Sequence, residues 1–124
     1  MTTQQFSLDR FLEARDRIRH NLHKTPLMGS ETLSKWLGVP IYFKCENLQK
    51  TGSFKVRGAL HKVSQLKPEE RSRGVATISA GNHAQAVAWA AANLEVPSVV
   101  VMPENASPTK ISASEHYGAE VILH

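Results

Sequence analysis

Cysteine is nearly absent from these 124 residues, and the one present, Cys45, leaves no internal disulfide framework to build on. That usage fits a reducing compartment. Long apolar runs are missing too: the longest, Ala86 to Ala92, falls far short of the ~20 residues a membrane-spanning helix needs. The opening MTTQQFSLDR is polar and lacks the apolar segment of a secretory leader, so a soluble, cytoplasmic chain with no membrane partner is expected. Charge of one sign is scarce, with 15 Lys and Arg against 11 Asp and Glu, a net +4. The basic residues Arg10, Arg15, Arg17, Arg19 and Lys24 are interleaved with Asp9, Glu13 and Asp16 and carry no aromatic spacing, which argues against a nucleic-acid stripe. What is present suffices for a core, since 41% of residues are hydrophobic and 21% charged.

The common phosphate and metal patterns also fail. No Gly-x-Gly-x-x-Gly follows an expected strand, and Thr51-Gly52-Ser53 does not complete a P-loop. His20 and His23 stand three apart on an expected helix with no third ligand in view, so they read as a solvated basic face and no metal is expected.

Periodicity places the elements. Ser7 ahead of Phe11, Ala14, Ile18 and Leu22 predicts a capped amphipathic helix that Thr25-Pro26 breaks. A short helix from Ser30 to Leu37 should stop at Gly38, and Ile41 to Cys45 alternates like a strand. Val56, Leu60 and Val63 predict a helix over Ser53 to Leu66, ended by Lys67-Pro68. Beyond it the pattern becomes regular: strand Val75 to Ser79, helix Asn82 to Leu94, strand Ser98 to Met102, helix Ser107 to Tyr117, strand Ala119 to Leu123. Ser107 is the expected N-cap before Pro108, and Gly118 the expected stop. Strands separated by helices of this length mean βαβ units and a parallel sheet, an α/β fold. The chain ends at His124, directly after a strand expected to be buried and without a helix to cover it, as in a piece of a larger protein.

Two stretches carry chemistry. In the first, Lys44 to Ala59, Lys55 falls in the first turn of an expected helix behind a Thr-Gly-Ser turn. The positive end of the helix favours a neutral amine, the form that attacks aldehydes, although a lone lysine is more often a surface charge. In the second, Thr77 to Gln85, a strand runs through a glycine turn into a helix, where open α/β sheets bind ligands. Backbone N–H groups from Ala80 to His83 and the Asn82 amide suit a carboxylate; alternatively Asn82 merely caps its helix and Gly81 serves the turn.

Taken together, Ser53-Phe54-Lys55-Val56-Arg57-Gly58-Ala59 and Ser79-Ala80-Gly81-Asn82-His83-Ala84-Gln85 resemble the amino-terminal part of the fold type II pyridoxal 5′-phosphate enzymes. Within them they are most similar to the threonine dehydratase (threonine ammonia-lyase) and serine racemase group. Lys24-Thr25-Pro26-Leu27, Lys44 to Gln49, Val101-Met102-Pro103 and Ala119 to His124 extend the resemblance over nearly the whole chain.

The resemblance implies a three-layer, tryptophan synthase β-like fold, here truncated, with residues 1–70 in a large cofactor-binding domain and 71–124 in an incomplete small one. It implies that Lys55 forms the internal aldimine with pyridoxal phosphate and later takes the α-proton. Phe54 would pack near the cofactor ring, Asn82 would donate to its hydroxyl, and Ser79, Gly81, Asn82 and His83 would surround the substrate carboxylate. Threonine would yield 2-oxobutanoate and ammonia, and serine pyruvate, in a homo-oligomer whose expected setting is isoleucine biosynthesis. Racemases of the group resemble this pattern with serine where Ala80 stands, and alanine cannot exchange a proton, so elimination is expected over racemisation. The glycine-rich phosphate loop of the group has no counterpart here, so the chain alone is expected to be weak or inactive. A reading of another class keeps it non-catalytic, pairing the open edge of Ala119 to Leu123 with another chain.

Overall fold

The computed structural model describes residues 7–124; the polar opening before Ser7 lies outside them. Helix α1, Leu8–Ile18, starts where Ser7 Oγ accepts the Arg10 N–H at 3.4 Å. It is shorter than its apolar stripe: a 3-10 turn, Arg19–Asn21, follows, and only the far end of the stripe, Ile18 and Leu22, is buried. Strand β1, Leu27–Gly29, pairs antiparallel with β2, Tyr42–Lys44, with Leu27 opposite Lys44. All six strand residues are exposed. Between the strands lies α2, Glu31–Leu37, capped by Ser30 and ended by Gly38 at φ +70°.

Helix α3, Lys55–Ser64, begins two residues later than its pattern suggests, because Gly52 turns the chain at φ +68° just before it. Pro68 does more than end that helix: it opens α4, Pro68–Arg73, whose start is closed by Glu70 Oε2 accepting the Lys67 N–H at 2.8 Å. The remainder is the expected α/β alternation. Strands β3 (Val75–Ile78), β4 (Ser98–Met102) and β5 (Glu120–Leu123) form a parallel sheet in that order, connected through α5 (Asn82–Asn93) and α6 (Pro108–His116). Ser107 holds the cap position of α6 without a side-chain cap bond; its backbone oxygen instead takes the Lys110 and Ile111 N–H groups. Strand β5, expected to be buried, leaves Ile122 and Leu123 exposed at the sheet edge.

Alanine decides where the core sits. Helix α5 buries Ala84, Ala86, Val87, Ala88, Ala90 and Ala91, so it packs on two sides. One side meets Ile18, Leu22, Val56, Leu60 and Val63, and the other meets Val100, Met102 and Ala119. Small side chains keep helix propensity high and let α3 approach closely. Among the described residues no helix is long and apolar enough to cross a membrane.

Candidate active site

Lys55 is the first residue of α3 and is exposed, with its Nζ 5.0 Å from the centroid of the Phe54 ring. Phe54 occupies the cap position, makes no side-chain cap bond and is 58% exposed. Directly after Lys55, Val56 is fully buried in the core. Before it, Thr51 and Ser53 are buried, yet neither Thr51 Oγ1 nor Ser53 Oγ has a hydrogen-bond partner among the described residues. Buried hydroxyls left unpaired are uncommon and mark a place where a polar group is missing.

The second stretch forms the loop that leaves β3. The Ser79 N–H donates to Val101 O at 3.0 Å, and Ser79 Oγ accepts the Gly81 N–H at 3.2 Å, closing the turn while its own hydrogen stays free to donate. Helix α5 starts at Asn82 as expected, with Gly81 in the cap position at extended φ −128°. Asn82 therefore does not cap α5, contrary to the simpler sequence reading, and its exposed amide remains available. His83 is exposed beside it. A Cβ on Gly81 would lie 4.0 Å from both Ser79 Oγ and Lys110 Nζ, so a hydroxyl and an ammonium both reach this loop. Lys110, in the first turn of α6, escaped the sequence reading because only the β4–α6 crossover carries it to this loop.

The two motifs meet across the α3–α5 seam. Gly58 from the first and His83 from the second line one cavity of about 300 Å³, together with Lys62 and Thr77. Lys55, Phe54, Ser79, Gly81 and Asn82 lie outside its lining. Among the described residues no three His, Cys, Asp or Glu side chains converge on a metal position.

Behind Lys55 stands a polar network that the sequence reading also missed. Arg57 Nε donates to Glu46 Oε2 and Arg57 Nη2 to Glu46 Oε1, both at 2.7 Å. Thr25 Oγ1 donates to the same Oε1, and Lys44 Nζ donates to Thr25 O at 2.6 Å. The Arg57 bond, helped by Thr25 and by the charges of Arg57 and Lys44, holds the Glu46 carboxyl below its usual range against the opposing pull of partial burial. The same bond raises Arg57.

Parallel strands joined by helices, with the helices that follow the lysine turn and the glycine turn packed along one seam, make an open-sheet α/β fold of the class that binds ligands at the ends of its strands. The family model described as "Pyridoxal-phosphate dependent enzyme" matches residues 18–124, and the chain belongs to that family. It is 54% identical over 111 residues to an L-threonine ammonia-lyase of Geobacter sulfurreducens, covering 90% of this chain and 28% of that protein. It is 50% identical over 113 residues to an L-threo-3-hydroxyaspartate ammonia-lyase of Saccharomyces cerevisiae, covering 91% of this chain and 35% of that one. The solved serine racemase of Dictyostelium discoideum superimposes with a TM-score of 0.89 at 46% identity, over 94% of this chain and 38% of that structure. The chain thus spans about a third of the length of the relatives it matches.

The residues present fit pyridoxal phosphate. Lys55 offers a primary amine beside the Phe54 ring and Asn82 an exposed amide, the kinds of group that its aldehyde, ring and ring hydroxyl would take. The Thr51 and Ser53 hydroxyls just before Lys55 have no partner among the described residues, and a Cβ on Gly81 would meet nothing closer than 4.0 Å.

Proposed function

We propose that this chain belongs to a pyridoxal phosphate-dependent ammonia-lyase that converts L-threonine to 2-oxobutanoate and ammonia, and L-serine to pyruvate. The observation that carries the reading is Lys55, exposed on the first turn of α3, in a chain 54% identical to an L-threonine ammonia-lyase. Bound pyridoxal phosphate supplies an electron sink for the charge left when an α-proton departs and the β-hydroxyl leaves.

In this reading Lys55 Nζ would hold the cofactor through its aldehyde and, once freed, would serve as the base for the α-proton. Phe54 would pack against the ring, and the Asn82 amide would donate to the ring hydroxyl. Ser79 Oγ, the N–H groups at Asn82 and His83, and the Lys110 ammonium would take the substrate carboxylate, with Gly81, whose own N–H is held by Ser79 Oγ, leaving room for it. The division into residues 1–70 and 71–124, a homo-oligomeric assembly, a cytoplasmic location and isoleucine biosynthesis belong to the same reading. They are supported by the family resemblance and, for the location, by the single Cys45.

Racemisation is the second reading, favoured by the TM-score of 0.89 to a serine racemase. Against it stands Ala80, whose methyl carries no exchangeable proton. Products from L-serine separate the two: pyruvate supports elimination, and D-serine as the main product overturns it. The amine assignment is tested by incubating the protein with pyridoxal phosphate, reducing with borohydride and mapping the adduct by peptide mass. An adduct concentrated on Lys55 is expected. Full dehydratase activity in a Lys55→Ala variant of the active enzyme would sink the proposal.

A further inference from the structure

The turn that carries Lys55 has no cap of its own. Phe54 at the cap position makes no side-chain bond, and an uncapped first turn with free N–H groups frays. The restraint comes from Arg57, in the same turn, whose guanidinium grips both Glu46 oxygens at 2.7 Å. Glu46 sits in the 3-10 turn, Glu46–Leu48, directly behind β2. Thr25, buried at the approach to β1, donates to the same carboxylate, and Lys44 at the end of β2 donates to the Thr25 carbonyl. One carboxylate therefore joins the entry to β1, the exit of β2 and the start of α3. A two-bonded fork fixes rotation as well as distance, which a point charge cannot do. Between Lys55 and Arg57, the fully buried Val56 anchors the other side of the turn.

We propose that Glu46 and Arg57 are positioning residues that fix the first turn of α3 and so set where Lys55 Nζ stands. The inference rests on reading Lys55 as the amine that joins the cofactor, and it is tested by two measurements on wild type, Arg57→Lys and Glu46→Gln. The first needs no cofactor: amide hydrogen exchange at Arg57, whose N–H donates to Phe54 O at 3.0 Å, and over Gly58 to Leu60 behind it. Exchange there should quicken roughly tenfold in both variants, while the amides of Ala88 to Ala91 in α5 keep their protection. The second is labelling with pyridoxal phosphate and borohydride, read as the adduct at Lys55 relative to the exposed Lys35 and Lys67. That ratio should fall roughly fivefold or more in both variants.

Arg57→Lys keeps the charge and loses the fork, so loss in that variant reports geometry. A wild-type-like Arg57→Lys beside an impaired Glu46→Gln would make the effect one of charge and overturn the proposal. Unchanged exchange in both variants would overturn it as well. Absence of Lys55 labelling in the wild-type active enzyme would refute the amine assignment, and the exchange rates alone would then decide the anchor. Should Arg57→Lys not fold, Thr25→Val, which removes one bond to the same carboxylate, should shift both readouts in the same direction by about threefold.

Discussion

A side chain on Gly74 would place its Cβ 2.6 Å from the carbonyl oxygen of Pro97, closer than real Cβ atoms approach a backbone oxygen. Gly74 also adopts φ +83° and ψ −173°, a region almost reserved for glycine. The contact has a purpose. Pro97 O accepts the Val75 N–H at 2.9 Å, and that bond starts the pairing of β3 with β4. Gly74→Ala should therefore destabilise the fold by about 2 kcal/mol or more. The thermal midpoint, followed by circular dichroism, should drop by roughly 8 °C.

Leu60, 2% exposed in the α3–α5 seam, is the most informative core truncation. Leu60→Ala should cost about 2–5 kcal/mol in urea unfolding. Phe43→Ala, on an exposed face of β2, should stay within about 0.5 kcal/mol despite removing a larger side chain. The contrast checks that α3 against α5, and not the hairpin, holds the molecule together.

The Glu46–Arg57 pair makes stability depend on pH in a stated direction. Glu46 is lowered from its ordinary 4.5 by the Arg57 and Thr25 bonds and the charges of Arg57 and Lys44, so the unfolded chain holds that proton more tightly. Its contribution is complete above 4.5 and is lost as pH falls through the lower folded value. Unfolding midpoints measured across that acid range should fall more steeply for wild type than for Glu46→Gln. Parallel curves would show that the pair adds nothing.

Lys110 offers a test of the carboxylate loop. Its Nζ lies 4.0 Å from where a Gly81 Cβ would sit, as does Ser79 Oγ. In the active enzyme Lys110→Met should raise KM for L-threonine roughly tenfold and leave kcat within about twofold, because binding of a fixed negative charge is lost while proton transfer is not. A fall in kcat at constant KM would place Lys110 elsewhere in the reaction.

Local signals made much of this legible. Ser7, Ser30 and Gly38 bound their helices as their chemistry suggests, and the alternation from Val75 onward yields the parallel sheet directly. What stayed hidden depends on distance along the chain. Strand β1 has three residues and both strands of its hairpin are exposed, so no alternation betrays it. Pro68 reads equally well as a stop and as a first helical residue. Glu46 and Arg57 are eleven residues apart on different elements, and only the turn through Gly52 brings them into contact. Lys110 meets the Ser79 loop only through tertiary packing. Gly81 rather than Asn82 holds the cap of α5, with its N–H on the Ser79 hydroxyl, a choice that two adjacent capping residues leave open.

The hairpin and α2 stand apart from the helical seam, and each of the two parts holds one tryptophan. Trp36 projects from α2 at 77% exposure, whereas Trp89 packs against the seam from α5. Because polar bonds at Glu46 and Gln49 fasten the hairpin, added salt or acid weakens its attachment while apolar packing persists. The molecule thus carries two native fluorescent reporters in regions of unequal tenacity. With either indole replaced by phenylalanine, the survivor follows its own half, and the peripheral half is the one that lets go first.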